Sequence, residues 1–446
     1  MRLLLRLLIS AVQLCDVLIS AQHLYYSKHP INHVVLADSK IYVGAVNELA
    51  VLSVDELLPL HTVSTGPVKD SPLCNADGSS CLKDAVLQDT NNHNKVLHVL
   101  SNGVLHCGSV RQGICSIHSR ENLSLVYSGD VPVASNSPTA SCVSLVLSEH
   151  HLAVAASFSG DSPYRDPFPA VALRELPSFS VVNSGSLEGE AAVFLRAEVR
   201  SSFTIEYLSI FHHQHYVYIA VVQSQDTRKT RSAPRVAKLL RFCDNDTRFV
   251  SYSEVELQCR SEDNSNFPYM TAAYIQGTTR FGCDLKETLA NNVLCEEPLR
   301  KTMMLSISGD FLVGAFSPSP SETRSAICAF SMQRLKLTFW YNIDRCRGGA
   351  DSIGLPHVGR DAKCINKSRI PLDEETCELG VGGSIEAVEV AVAEVDQKIT
   401  ALSGVVSPRI VLAGTEDGQI LQRAIWLWIA RGDNKDWPAR FVRHMP

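Results

Sequence analysis

Six segments of this chain share one pattern that constrains the fold more than any other feature: an apolar strand after a tight turn, ending in small residues. They are YVGAV at 42–46, LHCG at 105–108, LAVAA at 152–156, VYIAV at 217–221, LVGAF at 312–316 and VLAGT at 411–415. Each has an apparent partner strand just before it: VVLADSK, KVLHVLSNG, SLVLSEH, LSIFHHQ, MMLSISGD and ITALSGVVSP, in the same order. Small residues on an inner strand let neighbouring sheets approach closely. A strand pair repeated with Gly or Ala at one fixed point therefore suits the blades of an all-β propeller. The competing all-β arrangement, a sandwich, would be unusual as one domain of this length. Helical signals are few, and Val51–Leu60 and Arg280–Leu289 are the segments expected to hold short helices.

The second repeat adds the compartment. Lys95–Ile117 reads as two strands joined at Ser101-Asn102-Gly103, running into a loop bounded by Cys107 and Cys115. So short a Cys-to-Cys loop fits an oxidising, extracellular setting. The start of the chain agrees. Arg2 and Arg6 precede an apolar run from Leu7 to Ser20, and Ser20-Ala21 offers small residues for cleavage, so 1–22 reads as a signal peptide. Gln13 and Asp16 interrupt that run, which falls short of the roughly 20 apolar residues of a spanning helix. No later stretch is long and apolar enough to span a bilayer. Sequons at Asn122, Asn245 and Asn366 fit glycosylation of surface loops. A formal net charge of -6 with 45% hydrophobic residues supplies a large core and argues against a nucleic-acid partner.

Spacings that catalysis would need are scarce. The chain has no Gly-x-Ser-x-Gly elbow, no His-Glu-x-x-His helix and no Gly-rich phosphate loop followed by Lys-Ser or Lys-Thr. His212-His213-Gln214-His215 is the densest candidate, with His213 and His215 on one strand face at a spacing that suits a shared metal. No third ligand accompanies them, and a polar turn between two strands accounts for them, as it does for His150-His151. Without Cys-x-x-Cys, the cysteines read as disulfides rather than zinc ligands. Asp373-Glu374-Glu375 reads as a solvated loop. So does the basic group Arg228, Lys229, Arg231, Arg235 and Lys238, with a patch for an acidic partner as the alternative. Arg431-Gly432-Asp433 is too short a match to carry weight. No metal or cofactor is expected, and a binding module is expected rather than an enzyme, with a secreted hydrolase as the competing class.

Four further segments resemble the sema domain of plexins: Ile41 to Asn47, Thr65 to Cys74, Cys107-Gly108 with Gln112-Gly113-Ile114-Cys115, and Gly414 to Gln419. The resemblance covers most of residues 31–422. It implies a seven-bladed β-propeller with insertions, acting as the semaphorin-binding head of a receptor in cell-surface guidance signalling and making autoinhibitory contacts within the ectodomain. A semaphorin is the implied partner, with a plexin or co-receptor on the same cell surface as a second. Semaphorins and the hepatocyte growth factor receptor share the fold, so a semaphorin-like ligand or growth-factor-receptor-like protein is the runner-up.

Cys15 would leave with the signal peptide, so the 14 cysteines reduce to an odd set. Spacing alone suggests Cys74 with Cys81 and Cys107 with Cys115, and leaves the others open. The resemblance, carried by Phe242-Cys243, Gln258-Cys259, Ile327-Cys328-Ala329, Arg345-Cys346-Arg347, Lys363-Cys364-Ile365 and Thr376-Cys377, implies pairs 243–377, 259–328 and 346–364. Cys283 and Cys295 have no counterpart in that pattern and suit an added local pair. Cys142 remains, expected as a buried and inert thiol in the run Cys142–Leu147.

Ligand contacts in the family lie on loops around the third and fourth blades and near the later Cys loop. Here Gly160–Pro167 combines an aromatic, an Arg and two Asp in a Pro-rich frame. Asp161, Tyr164, Arg165 and Asp166 are therefore the expected contact residues, with Ile365 as a further one, and a loop merely packed on its own blade is the alternative. The resemblance stops after Leu421, and Trp426, Trp428 and Trp437 belong to a tail without it. The expected division is 1–22 signal peptide, 23–422 sema domain with a truncated last blade, and 423–446 divergent tail. An incomplete ring would leave sheet edges bare, so poor folding or dimerisation is expected of the chain alone.

Overall fold

Near-continuous apolar runs such as Tyr216–Ser224 build the central strands, as a sheet buried on both faces requires, while alternation marks strands such as Ile31–Ala37. The computed structural model describes residues 24–424, except 161, 166–167, 184–188, 228–233, 278–309, 351–353, 359–363, 365–376, 378 and 406–409. The expected signal peptide, the cysteines at 283 and 295, and all of the tail beyond residue 424 lie outside the described residues. So does the expected helix at 280–289. The chain divides into two units, residues up to Pro138 with Ser162–Tyr164, and Thr139–Asp161 with everything from Arg165.

The first unit holds two antiparallel meanders. Sheet A comprises β1 (Ile31–Ala37), β2 (Lys40–Ala45), β3 (Glu48–Ser53) and β4 (Pro59–Ser64) in chain order. A small pair follows, β5 (Val68–Asp70) with β6 (Gln88–Thr90). Sheet B is built from β7 (Val96–Leu100), β8 (Gly103–Cys107), β9 (Cys115–His118) and β10 (Leu125–Ser128). Asp38 and Ser39, both with positive φ, make the two-residue turn between β1 and β2. Between β7 and β8 the turn is Ser101-Asn102, with Leu100 opposite Gly103, so Gly103 is the first strand residue rather than part of the turn. Tyr42, Leu49 and Val51 of sheet A pack on Leu97 and Val104 of sheet B and on Leu123.

The second unit repeats the plan. Sheet C has β11 (Cys142–Val146), β12 (His151–Ala156), β13 (Val171–Glu175) and β14 (Ala192–Val193). Sheet D has β15 (Ile205–His213), β16 (Tyr216–Ser224), β17 (Arg235–Cys243), β18 (Ser253–Arg260) and β19 (Asn266–Phe267). Sheet E starts with β20 (Tyr269–Gln276), β21 (Phe311–Ser317) and β22 (Ser325–Ser331), after which comes one helix, α1 (Met332–Arg347). The chain then places β23 (Ala387–Val390) parallel to β18 in sheet D before β24 (Ala393–Val395) closes sheet E against β22. Sheet F holds β25 (Ile399–Val405), β26 (Ile410–Thr415) and β27 (Ile420–Ala424).

All six repeated segments are second strands, β2, β8, β12, β16, β21 and β26, and each lies between two neighbours. The expected all-β, blade-type fold is therefore present, with six such meanders among the described residues. Five of the six expected partner strands also pair as read. The sixth expected partner, MMLSISGD at 303–310, lies almost wholly outside the described residues, and the neighbours of β21 are β20, residues 269–276, and β22. A local hairpin was the natural reading, but a long insertion separates the true partners. The expected helix at 51–60 is also absent: Val51–Ser53 completes β3 and Pro59 opens β4, with β-branched Val51 paired to His61.

Helix α1 was not expected. Its signal was present, because Met332, Leu335, Phe339, Ile343 and Cys346 follow helical spacing and are buried. Asn342 sits on the same face and accepts from the backbone N–H groups of Ser384 and Ile385 at 3.0 and 2.9 Å, tying the helix to the Gly-Gly-Ser loop.

Among the described residues five disulfides are present, 74–81, 107–115, 243–377, 259–328 and 346–364, matching the expected pairs. Cys107 and Cys115 are directly opposite in the β8–β9 ladder. The 243–377 bridge closes a loop of 134 positions, which the chain-entropy model places at roughly 4–5 kcal/mol. Cys142 lies outside these pairs and is half-buried, not fully buried as expected.

The lead-in to sheet B carries the tightest polar fit of the first unit. Asn92 donates through its backbone N–H to Asn47 Oδ1 at 2.7 Å and through Nδ2 to the Thr65 carbonyl at 3.0 Å, and its Oδ1 accepts from the Ser109 N–H at 2.9 Å. A methyl group on Gly108 would collide with that amide, whereas one on Gly414 would meet only Ala401 Cβ at 3.4 Å. Gly108→Ala is therefore expected to cost about 3 kcal/mol and Gly414→Ala well under about 1 kcal/mol, measured by urea unfolding of the secreted protein.

Candidate functional site

The expected contact loop leaves β12 after Ala156 and returns to β13. Its first half is tied down by Ser162, whose hydroxyl donates to the Pro72 carbonyl at 2.8 Å and lies 3.3 Å from the Tyr164 N–H. Pro163–Arg165 form a single 3₁₀ turn. Tyr164 is half-buried, leaving part of its ring to solvent. Arg165 is 1% exposed, with its guanidinium 3.7 Å above the Phe168 ring centroid. Burial pushes Arg165 down to about 9, with the Cys142 sulfur opposing and Arg174 adding to the fall. The loop thus uses its arginine as an internal fastener. Asp161, Asp166 and Ile365 lie outside the described residues.

The histidine cluster is divided by its backbone. His212 and His213 end β15, Gln214 turns with φ 56°, and His215 falls in the turn. His212 and His213 reach different carboxylates, Asp244 at 2.8 Å and Asp310 at 2.9 Å, and because His215 lies in the turn beyond β15, His213 and His215 do not share a strand face. Of the basic group, Arg235 and Lys238 belong to β17 and pair with Glu206 and Glu254. Arg228, Lys229 and Arg231 lie outside the described residues, as do Asp373-Glu374-Glu375 and Arg431-Gly432-Asp433. The sequons at Asn122 and Asn245 are exposed turns, and Asn366 falls outside.

Sequence reasoning missed the most strongly perturbed carboxylate. Glu254 on β18 is 0% exposed. Its Oε2 accepts from Lys238 Nζ at 2.9 Å and Gln223 Nε2 at 2.8 Å, while Oε1 accepts from the Tyr252 hydroxyl at 3.1 Å and meets His357 Nε2 at 2.8 Å. Burial opposes the charge, but His357 and Lys238 outweigh it and hold the carboxyl well below its ordinary range. His357 stacks on Phe203 at 4.5 Å, and its carbonyl accepts from the Arg196 N–H at 3.0 Å. The cluster binds residues 355–358 to sheet D. Only Lys238 touches solvent appreciably, so no substrate reaches this carboxylate. It looked like an ordinary strand residue because its partners come from positions far apart in the chain.

No family model matches the chain. It is 47% identical over 400 residues to Plexin-2 of Caenorhabditis elegans, covering 89% of this chain and 20% of that protein. The chain thus spans about a fifth of the length of the curated relatives it matches. Among solved structures it is similar to the full extracellular region of Plexin A4, with TM-score 0.70 and 22% identity over 88% of this chain and 44% of that one. It is also similar to a chain of the Drosophila Plexin A complex with Semaphorin 1b, with TM-score 0.51 and 14% identity over 89% and 74% of the two chains. These likenesses carry the fold, a β-propeller of sema type.

Removing the buried carboxylate leaves the Lys238 cation without its counter-charge and Gln223, Tyr252 and His357 without the oxygens they meet. Glu254→Ala is expected to lose about 3–5 kcal/mol of unfolding free energy at neutral pH. Because the folded-state pKa is lowered, the wild type holds the stabilisation above pH 4.5, the ordinary value for the group, and sheds it as pH falls below that point. The variant has no such loss, so the two denaturation curves should converge in acid.

Proposed function

The chain belongs to the plexin family, its described residues forming a plexin sema domain, and from that premise we propose that it is the semaphorin-binding head of a receptor ectodomain in guidance signalling. The observation that carries this reading is the 47% identity to a plexin over 89% of the chain. The solved complex of Plexin A with Semaphorin 1b supports the choice of partner. Five disulfides and two exposed sequon asparagines among the described residues support an extracellular site of action. Among the described residues, no helix is long and apolar enough to cross a membrane.

The mechanism is recognition rather than catalysis. Meander sheets clamped by long-range disulfides present loops at low ordering cost, so little of the contact energy is lost to freezing the surface. In the contact loop Tyr164 is the anchor and Asp161 and Asp166 are the charges offered to the ligand, with Ile365 adding an apolar contact. Arg165 holds the 3₁₀ turn through its contact with Phe168. A plexin or co-receptor on the same membrane is the second partner, bound outside this loop.

A panel of semaphorin ectodomains and a plexin sema domain, each immobilised, tests the reading. Binding to a semaphorin is expected, with Asp161→Lys and Tyr164→Ala each weakening it about tenfold or more at unchanged secretion. Arg165→Ala should lower secretion and melting temperature before it lowers affinity. Binding to immobilised plexin alone would make the chain a semaphorin-like ligand instead. Normal affinity of both loop variants would remove the loop from the interface.

A further inference from the structure

Three imidazoles lie between the two sheets of the first unit. His106 on β8 and His118 on β9 share a sheet face, ring centroids 6.2 Å apart and edge to face. His33 on β1 meets Asn94 Oδ1 through Nδ1 at 2.6 Å, which links sheet A to the lead-in of β7. His118 has both ring nitrogens engaged, Nδ1 with the Leu123 carbonyl at 3.0 Å and Nε2 with the Ser116 hydroxyl at 3.0 Å. His106 is 5% exposed, and its Nε2 has no hydrogen-bond partner among the described residues. No acceptor waits there for a second proton.

The surrounding charges do not welcome one either. Sheet A contributes the His33 ring and the buried Tyr42 phenol. The lead-in to β7 contributes the cation of Lys95, whose Nζ donates to the Pro138 carbonyl at 2.8 Å. Opposite His106 on β7 stands Leu97, and β9 adds Ser116 and His118. At the rim Asp38, in the β1–β2 turn, is already engaged by Arg120 from the far end of sheet B. An imidazolium formed in this layer would face a lysine and two more imidazoles in a medium that screens poorly.

We propose that His33 and His106 form an acid-sensitive latch between these sheets, so that protonation of the pair loosens the first unit in a mildly acidic compartment while sheet D keeps its packing. Burial, then His118 and His33, push His106 down to about 3. Burial also lowers His33, with Asn94 opposing and Lys95 assisting. Because both folded-state values lie below the ordinary 6.5, the latch is fully closed above that pH and weakens as pH falls from 6.5 toward the folded-state value. Between pH 7.5 and 5.0 linkage predicts an increase of about 30-fold in the opening equilibrium from His106 alone. Glu254 in sheet D is held below its ordinary 4.5 and does not respond in this window.

Hydrogen exchange read by mass spectrometry on the full glycosylated chain, corrected for intrinsic exchange at each pH, tests the latch. Peptides covering Gly103–His118 are expected to open about 30-fold more at pH 5.0 than at pH 7.5, and peptides covering Tyr216–Cys243 less than about threefold. His106→Gln should abolish most of the increase, and His33→Gln part of it, so the comparison survives if one variant is not secreted. An equal acid response of the two regions in the wild type would overturn the latch. So would the full wild-type increase persisting in both glutamine variants.

Discussion

Everything in this architecture rests on the crowding of the second strand in each meander. That strand is flanked on both edges by hydrogen-bonded neighbours, and its faces look into the packed layers between sheets. Gly44, Ala153, Ala155, Ala220, Ala315 and Ala413 line it, and Gly108 follows it directly in the second meander. At Gly44 and Gly108 the space a methyl would need is filled by the amides of Asn94 and Asn92. Polar groups inside these layers gather into clusters, an asparagine relay in one unit and a carboxylate with four partners in the other, each satisfying backbone or charge that sheet geometry leaves over.

Strand register and small-residue placement were legible because they repeat. Each second strand announces itself through an apolar run that ends in Gly or Ala, and the Cys107–Cys115 pair marks a ladder position directly. Legibility failed where pairing is not local. The neighbour of β21 lies before a long insertion, so reading the adjacent segment as its partner followed the pattern and missed the topology. Val51–Leu60 has helix-forming residues, but the pull of sheet pairing on Val51 and Leu52 overrides propensity. The helical period of α1, carried by Met332, Leu335, Phe339 and Ile343, is a single instance beside a β pattern that repeats six times.

The candidate site was legible only in composition. An aromatic, an arginine and acids in a proline-rich frame look alike whether they face a ligand or the protein's own interior. Arg165 shows the difference, because the ring that receives its guanidinium, Phe168, is three positions away and carries no motif. Glu254 shows the converse. Its four partners come from residues 223, 238, 252 and 357, and only folding brings them to one point.

The return of β23 to β18, followed at once by β24 on β22, carries a mechanical consequence. The Cys259–Cys328 bridge joins β18 to β22 covalently, while the strand excursion stitches the same two sheets a second time through backbone hydrogen bonds. Tension entering at either sheet is therefore shared between a covalent tether and a parallel ladder that must shear rather than unzip. A force applied to either sheet is passed on through sheets D and E together, without parting one from the other.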